Sequence, residues 1–273
     1  MTLAASIANS LSEGALSQAL DHAREHMRAH PSDKDARHLY IDLLILAGDY
    51  ERADTQCSLA VTLAPQDTMG FALLRNQLRA MAARKAWFET GAVPEFPHGP
   101  SALDRAAIEL AIINREGSPA GPALAALDGL RGERPMLWNG EPVGDFRDLD
   151  DRVPHALEVI MTGGSYLWID FAKIASVAVE PIARPRDLAF RRAELSLADG
   201  ASASVLLPAI YQGTEGRETL LLGRETEWIT EPSGITAGRG QRCFLAGDEL
   251  VSFHDMQSLG MPEIIRQKQA AHG

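Results

Sequence analysis

Two cysteines, Cys57 and Cys243, are all that the 273 residues contain. They stand far apart and form no CxxC, so neither a disulfide framework nor a cysteine zinc site follows. Both read as buried thiols in a reducing compartment. Runs of lysine or arginine are also missing, and the formal net charge is −11. Nucleic acid and anionic membrane both need a basic face, so neither is expected as a partner. No apolar run approaches the roughly 20 residues of a membrane span. The opening stretch MTLAASIANSLSEG lacks a basic segment ahead of a long apolar one, so no secretory signal is expected there. A cytoplasmic location is the expectation.

Catalytic motifs are missing as well. The chain has no GxSxG, no GxxxxGK[ST], no GxGxxG and no HExxH. GITAGRGQR is glycine-rich but fits neither phosphate-binding pattern. The eight histidines are scattered. His22 and His26 fall at i, i+4, a spacing that reads as an exposed helix face rather than a metal pair. No cofactor and no metal are expected.

What is present divides in two. Residues 1–130 read helical, and residues 150–260 read mostly as strands. The junction RGERPMLWNGEPVGDF is rich in glycine and proline, as a boundary should be. The expected domains are a helical-repeat unit at 1–135 and a β-rich unit at 140–273, an α+β chain.

The first half repeats. EGALSQALDHAREHMRAHPSD aligns with AGDYERADTQCSLAVTLAPQD, matching Gly14 to Gly48, Ala19 to Ala53 and Pro31 to Pro65, each pair 34 residues apart. That is the period of the tetratricopeptide (TPR) helix–turn–helix unit. Glycine suits the left-handed position that ends a helix, alanine lets helices approach, and proline stops the second helix. TMGFALLRNQLRAMAARKAWFETG continues as a long amphipathic helix, with Leu73, Leu74, Leu78, Met81 and Trp87 near helical spacing. Ser101 reads as the N-cap of the next helix. By TPR geometry, Asp35, His38, Asp42, Ile45 and Leu46 fall on the concave side, where a partner helix would lay an apolar stripe and the aspartates would steer a basic residue.

In the second half, ALEVIM, YLWIDF, ASVAVE, RRAELSL, SVLLPAIY, ETLLLG and RCFLAGDELVSF read as short strands. MTGGSY reads as a hairpin turn in which Gly163 and Gly164 supply positive φ, with LADGAS and LAGDEL as two more. A compact, mainly antiparallel sheet is expected to pack on the helices.

The segment DFRDLDD concentrates Asp145, Asp148, Asp150 and Asp151. It fails the EF-hand test: counting from Asp148, position six is Val153 and position twelve Val159, where glycine and an acid are required. The aspartates are expected to cap a turn or to pair with Arg147 and Arg152. The competing reading is an enzyme that uses Asp150, Asp151 or Glu158. Convergent, desolvated carboxylates in a concave pocket would favour it.

These blocks, in their order around Asp150, Asp151, Leu157, Glu158, Gly164, Tyr166, Trp168, Leu188, Pro208, Tyr211, Leu222, Gly223 and Trp228, resemble the ImpE/SciE family, the TagJ-type accessory proteins of bacterial type VI secretion. The resemblance covers essentially the whole chain. It departs at YLWIDF, where a proline is expected after the tryptophan-containing strand. The resemblance implies no catalytic activity. It implies binding to the N-terminal helix of the small sheath subunit (TssB type) and a link to the ClpV ATPase that recycles sheath. A third reading is architectural: the second domain docks on the helical unit and fills its groove.

Overall fold

The computed structural model describes residues 2–63 and 65–262; the end of the expected second unit, residues 263–273, lies outside them. Helices come first: α1 (Leu3–Ser12), α2 (Leu16–Ala29), α3 (Lys34–Leu46), α4 (Tyr50–Leu63), α5 (Thr68–Thr90), α6 (Ala102–Arg115) and α7 (Gly121–Arg131). The repeat is visible in the backbone. Gly14 and Gly48 both take positive φ, 83° and 75°. The next N–H reaches back five residues in each turn, Ala15 to the Ser10 carbonyl at 2.8 Å and Asp49 to the Leu44 carbonyl at 2.9 Å. Ala19 and Ala53 are both fully buried, as are Ala23 and its counterpart Cys57. Ser101 caps α6 through a capping box with Asp104. Leu73 departs from expectation. It projects to solvent while Leu74, Leu78, Met81 and Trp87 enter the core, because neighbouring positions on a helix point about a quarter-turn apart.

The strands follow: β1 (Met136–Trp138), β2 (Glu141–Val143), β3 (Phe146–Asp148), β4 (Ala156–Met161), β5 (Tyr166–Asp170), β6 (Ile174–Val179) and β7 (Phe190–Leu197). After β8 (Ser202–Pro208) and the short helix α8 (Glu218–Leu221) come β9 (Thr226–Thr230), β10 (Thr236–Gly240), β11 (Cys243–Ala246), β12 (Glu249–Ser252) and β13 (Ser258–Gly260). The large sheet runs β2-β1-β13-β6-β7-β8-β4-β5, with a three-stranded sheet β12-β11-β3 and a ribbon β10-β9. The ladders are antiparallel.

Two sequence readings are corrected. ETLLLG is the helix α8, not a strand; its leucines bury Leu220 and Leu222 while Gly223, at φ 64°, closes the turn. The junction is also more than a linker. Asn139 and Gly140, both at positive φ, turn β1 into β2, and β1 joins the large sheet through β13. Of the MTGGSY glycines only Gly164 takes positive φ, at 104°. A Cβ there would also lie 3.3 Å from the Asn76 carbonyl of α5, a tight approach that adds to the backbone's preference for glycine.

Alternation along β4 and β5 sorts the core. Ala156, Ile160, Tyr166 and Trp168 face the helices and share one core with Ile41, Leu74, Met81 and Trp87. Leu157, Val159 and Ile169 face the other way, toward Phe146, Phe171, Phe244 and Phe253. The large sheet is thus the middle layer, between the helices and the three-stranded sheet. Trp87 and Trp168 meet edge to face at 5.0 Å across the first boundary, a contact of ~1 kcal/mol beyond its burial. Residue Glu95, after α5, covers the edge of β5 with a parallel bridge to Leu167.

Candidate functional site: a buried charge network between helices and sheet

Glu158 sits on β4 where Ala156 and Ile160 face the helices, so its carboxylate points at α5. Arg84 of α5 meets it with two prongs, Nε to Oε1 at 2.8 Å and Nη2 to Oε2 at 3.0 Å. Tyr166 donates to Oε1, and Arg242 reaches Oε2 from the segment before β11. Arg84 also donates to the Ile210 carbonyl and the Gln212 side chain. Trp168 Nε1 donates to the Tyr166 hydroxyl, which completes the string. Arg84, Glu158 and Arg242 are all at most 3% exposed. Ionised groups that deep survive only when paired, because an isolated buried charge costs far more than any single contact returns. Burial still lowers Arg242, to about 10.

The aspartate-rich segment feeds the same network. β3 alternates, turning Phe146 and Asp148 inward. Asp148 accepts from the Asp150 N–H and the Tyr211 hydroxyl, both at 2.9 Å, and lies 3.5 Å from Arg242. Asp150 accepts from the Arg152 guanidinium and from the N–H groups of Arg152 and Gly238. Asp151 accepts from the Thr236 N–H and from Arg147. Asp145 takes both prongs of Arg131, at 2.7 and 2.9 Å. Burial raises Asp148 to about 6, with Arg242 opposing and Asp150 adding to the rise. Burial also works against ionisation of Asp150, but Arg152 and the backbone donors outweigh it and hold that carboxyl below its ordinary value. Every aspartate of the segment is tied to arginine, tyrosine or backbone. Among the described residues no group of three or more His, Cys, Asp or Glu is placed to hold a metal ion.

Two further polar contacts clamp helices to the β-rich half. His155 meets Asp104 of α6 at 3.0 Å in a fully enclosed pair. Asp42 of α3 accepts from Arg184 at 2.6 Å and lies 3.7 Å from Arg186. Burial raises the Asp42 carboxyl, while Arg186 and Arg184 pull it back.

That last contact bears on the five positions expected to line a groove. Asp35 is exposed, and His38 is half-buried and stacked on Phe71 at 4.6 Å. Asp42, Ile45 and Leu46 are 1–2% exposed. Expectation and structure differ here because the turn Pro185–Leu188 packs against α3 and brings Arg184 and Arg186 onto Asp42. Asp42 therefore cannot steer a partner from the surface. Ile45 and Leu46 do line the floor of a cleft of about 220 Å³, with Tyr50, Lys85, Glu89 and Gln212 around it. That is below the roughly 300–1,000 Å³ of small-molecule sites. Sequence reasoning missed Arg84, Arg184 and Arg242. Their only signal was being arginines in otherwise apolar or β-rich surroundings.

Fold and network together define a helical array packed on an antiparallel β-domain, with buried ion pairs across that junction and beside it. Residues 140–260 match the family model described as ImpE protein. Over 245 residues it is 29% identical to the type VI secretion system accessory component TagJ of Pseudomonas aeruginosa, covering 85% of this chain and 82% of that protein. The crystal structure of a Vibrio parahaemolyticus protein superposes with a TM-score of 0.86 at 28% identity, covering 94% of this chain and 98% of the other. Among the described residues no helix is long and apolar enough to cross a membrane.

Proposed function

We propose that the chain is an accessory protein of a type VI secretion system that acts as an adaptor. It binds the N-terminal helix of the small sheath subunit (TssB type) and links it to sheath recycling by the ClpV ATPase in the cytoplasm. The TagJ relative, named an accessory component, supports the first part. The observation that carries the adaptor reading over an enzyme is the state of the carboxylates. Asp148, Asp150, Asp151 and Glu158 each accept from arginine, tyrosine or backbone donors, the ties expected of structural carboxylates, which favours the adaptor.

The helix surface we favour keeps to the two ends of α3, with exposed Asp35 and half-buried His38 at its start and the cleft lined by Ile45 and Leu46 at its end, while Asp42 between them is held by Arg184 and Arg186. The cleft takes anchor side chains at i, i+3 and i+4 spacing, and Asp35 attracts a basic residue at the other end. The test is a fluorescent peptide of the small sheath subunit's N-terminal helix titrated into the full chain. Saturable binding is expected, weakened about ten-fold, ~1.4 kcal/mol, by Asp35→Arg. Absence of binding to the wild-type chain rules the reading out. Binding that Asp35→Arg leaves unchanged moves the helix to another surface.

A further inference from the structure

The aspartate-rich segment has an outer side that the buried network does not use. Arg147, Leu149 and Asp151 line it, alternating with the inward Phe146, Asp148 and Asp150. There they meet Trp228 of β9, Leu245 of β11 and Leu250 of β12 around a hollow of about 410 Å³. The strand register explains the convergence. Leu250 pairs with Leu245, and Leu245 pairs with Arg147, so the three side chains form one row across the outer face of β12-β11-β3. The inner face of the same sheet carries Phe146 and Phe244 into the core.

The row is covered only in part, Arg147 and Leu245 being half-buried and its Leu250 end open. Leu250 is 61% exposed and Trp228 38%. Trp228 is steadied from one side by the ring of Tyr211, at 5.7 Å between centroids. A half-exposed tryptophan braced by a tyrosine beside an exposed leucine and an arginine offers the anchor residues that interaction hot spots favour.

Charge selects the partner. Arg147 is shared between Asp128 at 3.5 Å and Asp151 at 3.1 Å. Asp248, exposed, sits in the hairpin turn two residues before Leu250. Carboxylates thus outnumber cations around an apolar centre, on a chain whose formal net charge is −11. Acidic segments and anionic lipid are repelled from such a rim, and basic segments are drawn to it.

We propose that this hollow docks a partner-protein segment that presents apolar side chains flanked by lysine or arginine. The surface is separate from the one assigned above to the sheath helix, and the inference does not depend on that assignment. The probes are two short synthetic peptides, one alternating leucine with lysine and one alternating leucine with glutamate, each labelled and titrated into the full chain at physiological salt. The Leu/Lys peptide is expected to bind saturably and the Leu/Glu peptide not at all. Trp228→Ser and Leu250→Ser, neither of which alters charge, should each weaken the Leu/Lys peptide about ten-fold, ~1.4 kcal/mol. Leu250 is largely exposed, so its variant leaves the core untouched and controls for any loss of packing at Trp228. Leu/Lys affinity unchanged in both variants would mean adsorption by net charge alone and overturn the proposal, as would binding of the Leu/Glu peptide with equal strength. The sheath helix takes no part in this measurement, so failure here is distinct from failure of the adaptor reading.

Discussion

Arg84 of α5 and Glu158 of β4 form a two-pronged ion pair across the boundary between helices and sheet, with side-chain exposures of 3% and 1%. Arg242 approaches the same carboxylate from the other side. One carboxylate therefore neutralises cations from two different parts of the fold. Glu158→Gln keeps the shape but leaves Arg84 and Arg242 without that charge. Removing one member of a buried ion pair typically costs roughly 3–5 kcal/mol. Urea titration of the full chain should show a loss of that order, and a change below about 1 kcal/mol would contradict the role given to Glu158.

Legibility in the sequence followed distance along the chain. The partners of Asp150 and Asp151 were readable because Arg152 and Arg147 lie two and four residues away. The helix turns at Gly14 and Gly48 were readable because a backbone position that demands glycine recurs with the repeat. Arg84 and Glu158 are 74 residues apart, and nothing in either local pattern names the other. The filling of the α3 groove was raised only as one of three readings, since Asp42 looks like any polar helix residue until Arg184 arrives from 142 positions away. The Asn139–Gly140 turn did carry its hairpin signal. Its strands are three residues each, too short to show the alternation that marks a strand.

Asp42 gives the second prediction. At the surface, Asp42→Arg would leave folding intact and reverse a steering charge. In the observed seat it places a third guanidinium against Arg184 and Arg186 and removes the carboxylate they share. Like charges confined together and a lost buried pair both destabilise. Asp42→Arg is expected to cost more than Asp42→Asn, with both lowering the urea midpoint, and Asp42→Arg by on the order of 3 kcal/mol or more. Local release of the Pro185–Leu188 turn from α3 should appear as faster amide hydrogen exchange at α3. Unchanged stability in both variants would return Asp42 to the surface.

A third prediction concerns the enclosed pair of His155 and Asp104. Asp104 also accepts from the Ser101 N–H at 2.7 Å, so one carboxylate serves the α6 cap and the β-domain together. Asp104→Ala removes both contacts, whereas Ser101→Ala removes only its share of the cap. Loss of a cap alone is worth about 1 kcal/mol. Asp104→Ala should therefore destabilise clearly more than Ser101→Ala, measured by thermal unfolding at neutral pH. Equal losses would show that the His155 contact contributes nothing.

The last prediction is a pH dependence with a defined sign. Burial holds the Asp148 carboxyl at about 6, against an ordinary value of 3.8. A carboxyl raised in the folded state binds its proton more tightly there than in the unfolded chain. Its contribution to stability is therefore complete below about pH 4 and is lost as pH rises toward 6. Asp148→Asn resembles the protonated form at every pH and keeps neutral-donor contacts to Tyr211 possible after rotation of the amide. The stability of Asp148→Asn relative to wild type should thus climb between pH 4 and 6 and level off above, with a total swing on the order of 3 kcal/mol. Acid loss from the depressed Asp145 and Asp150 runs the other way and falls below about pH 4, outside the window in which Asp148 titrates. Paired urea titrations across that pH range read it directly. A difference that stays flat, or that falls as pH rises, would show that Arg242 keeps Asp148 ionised throughout.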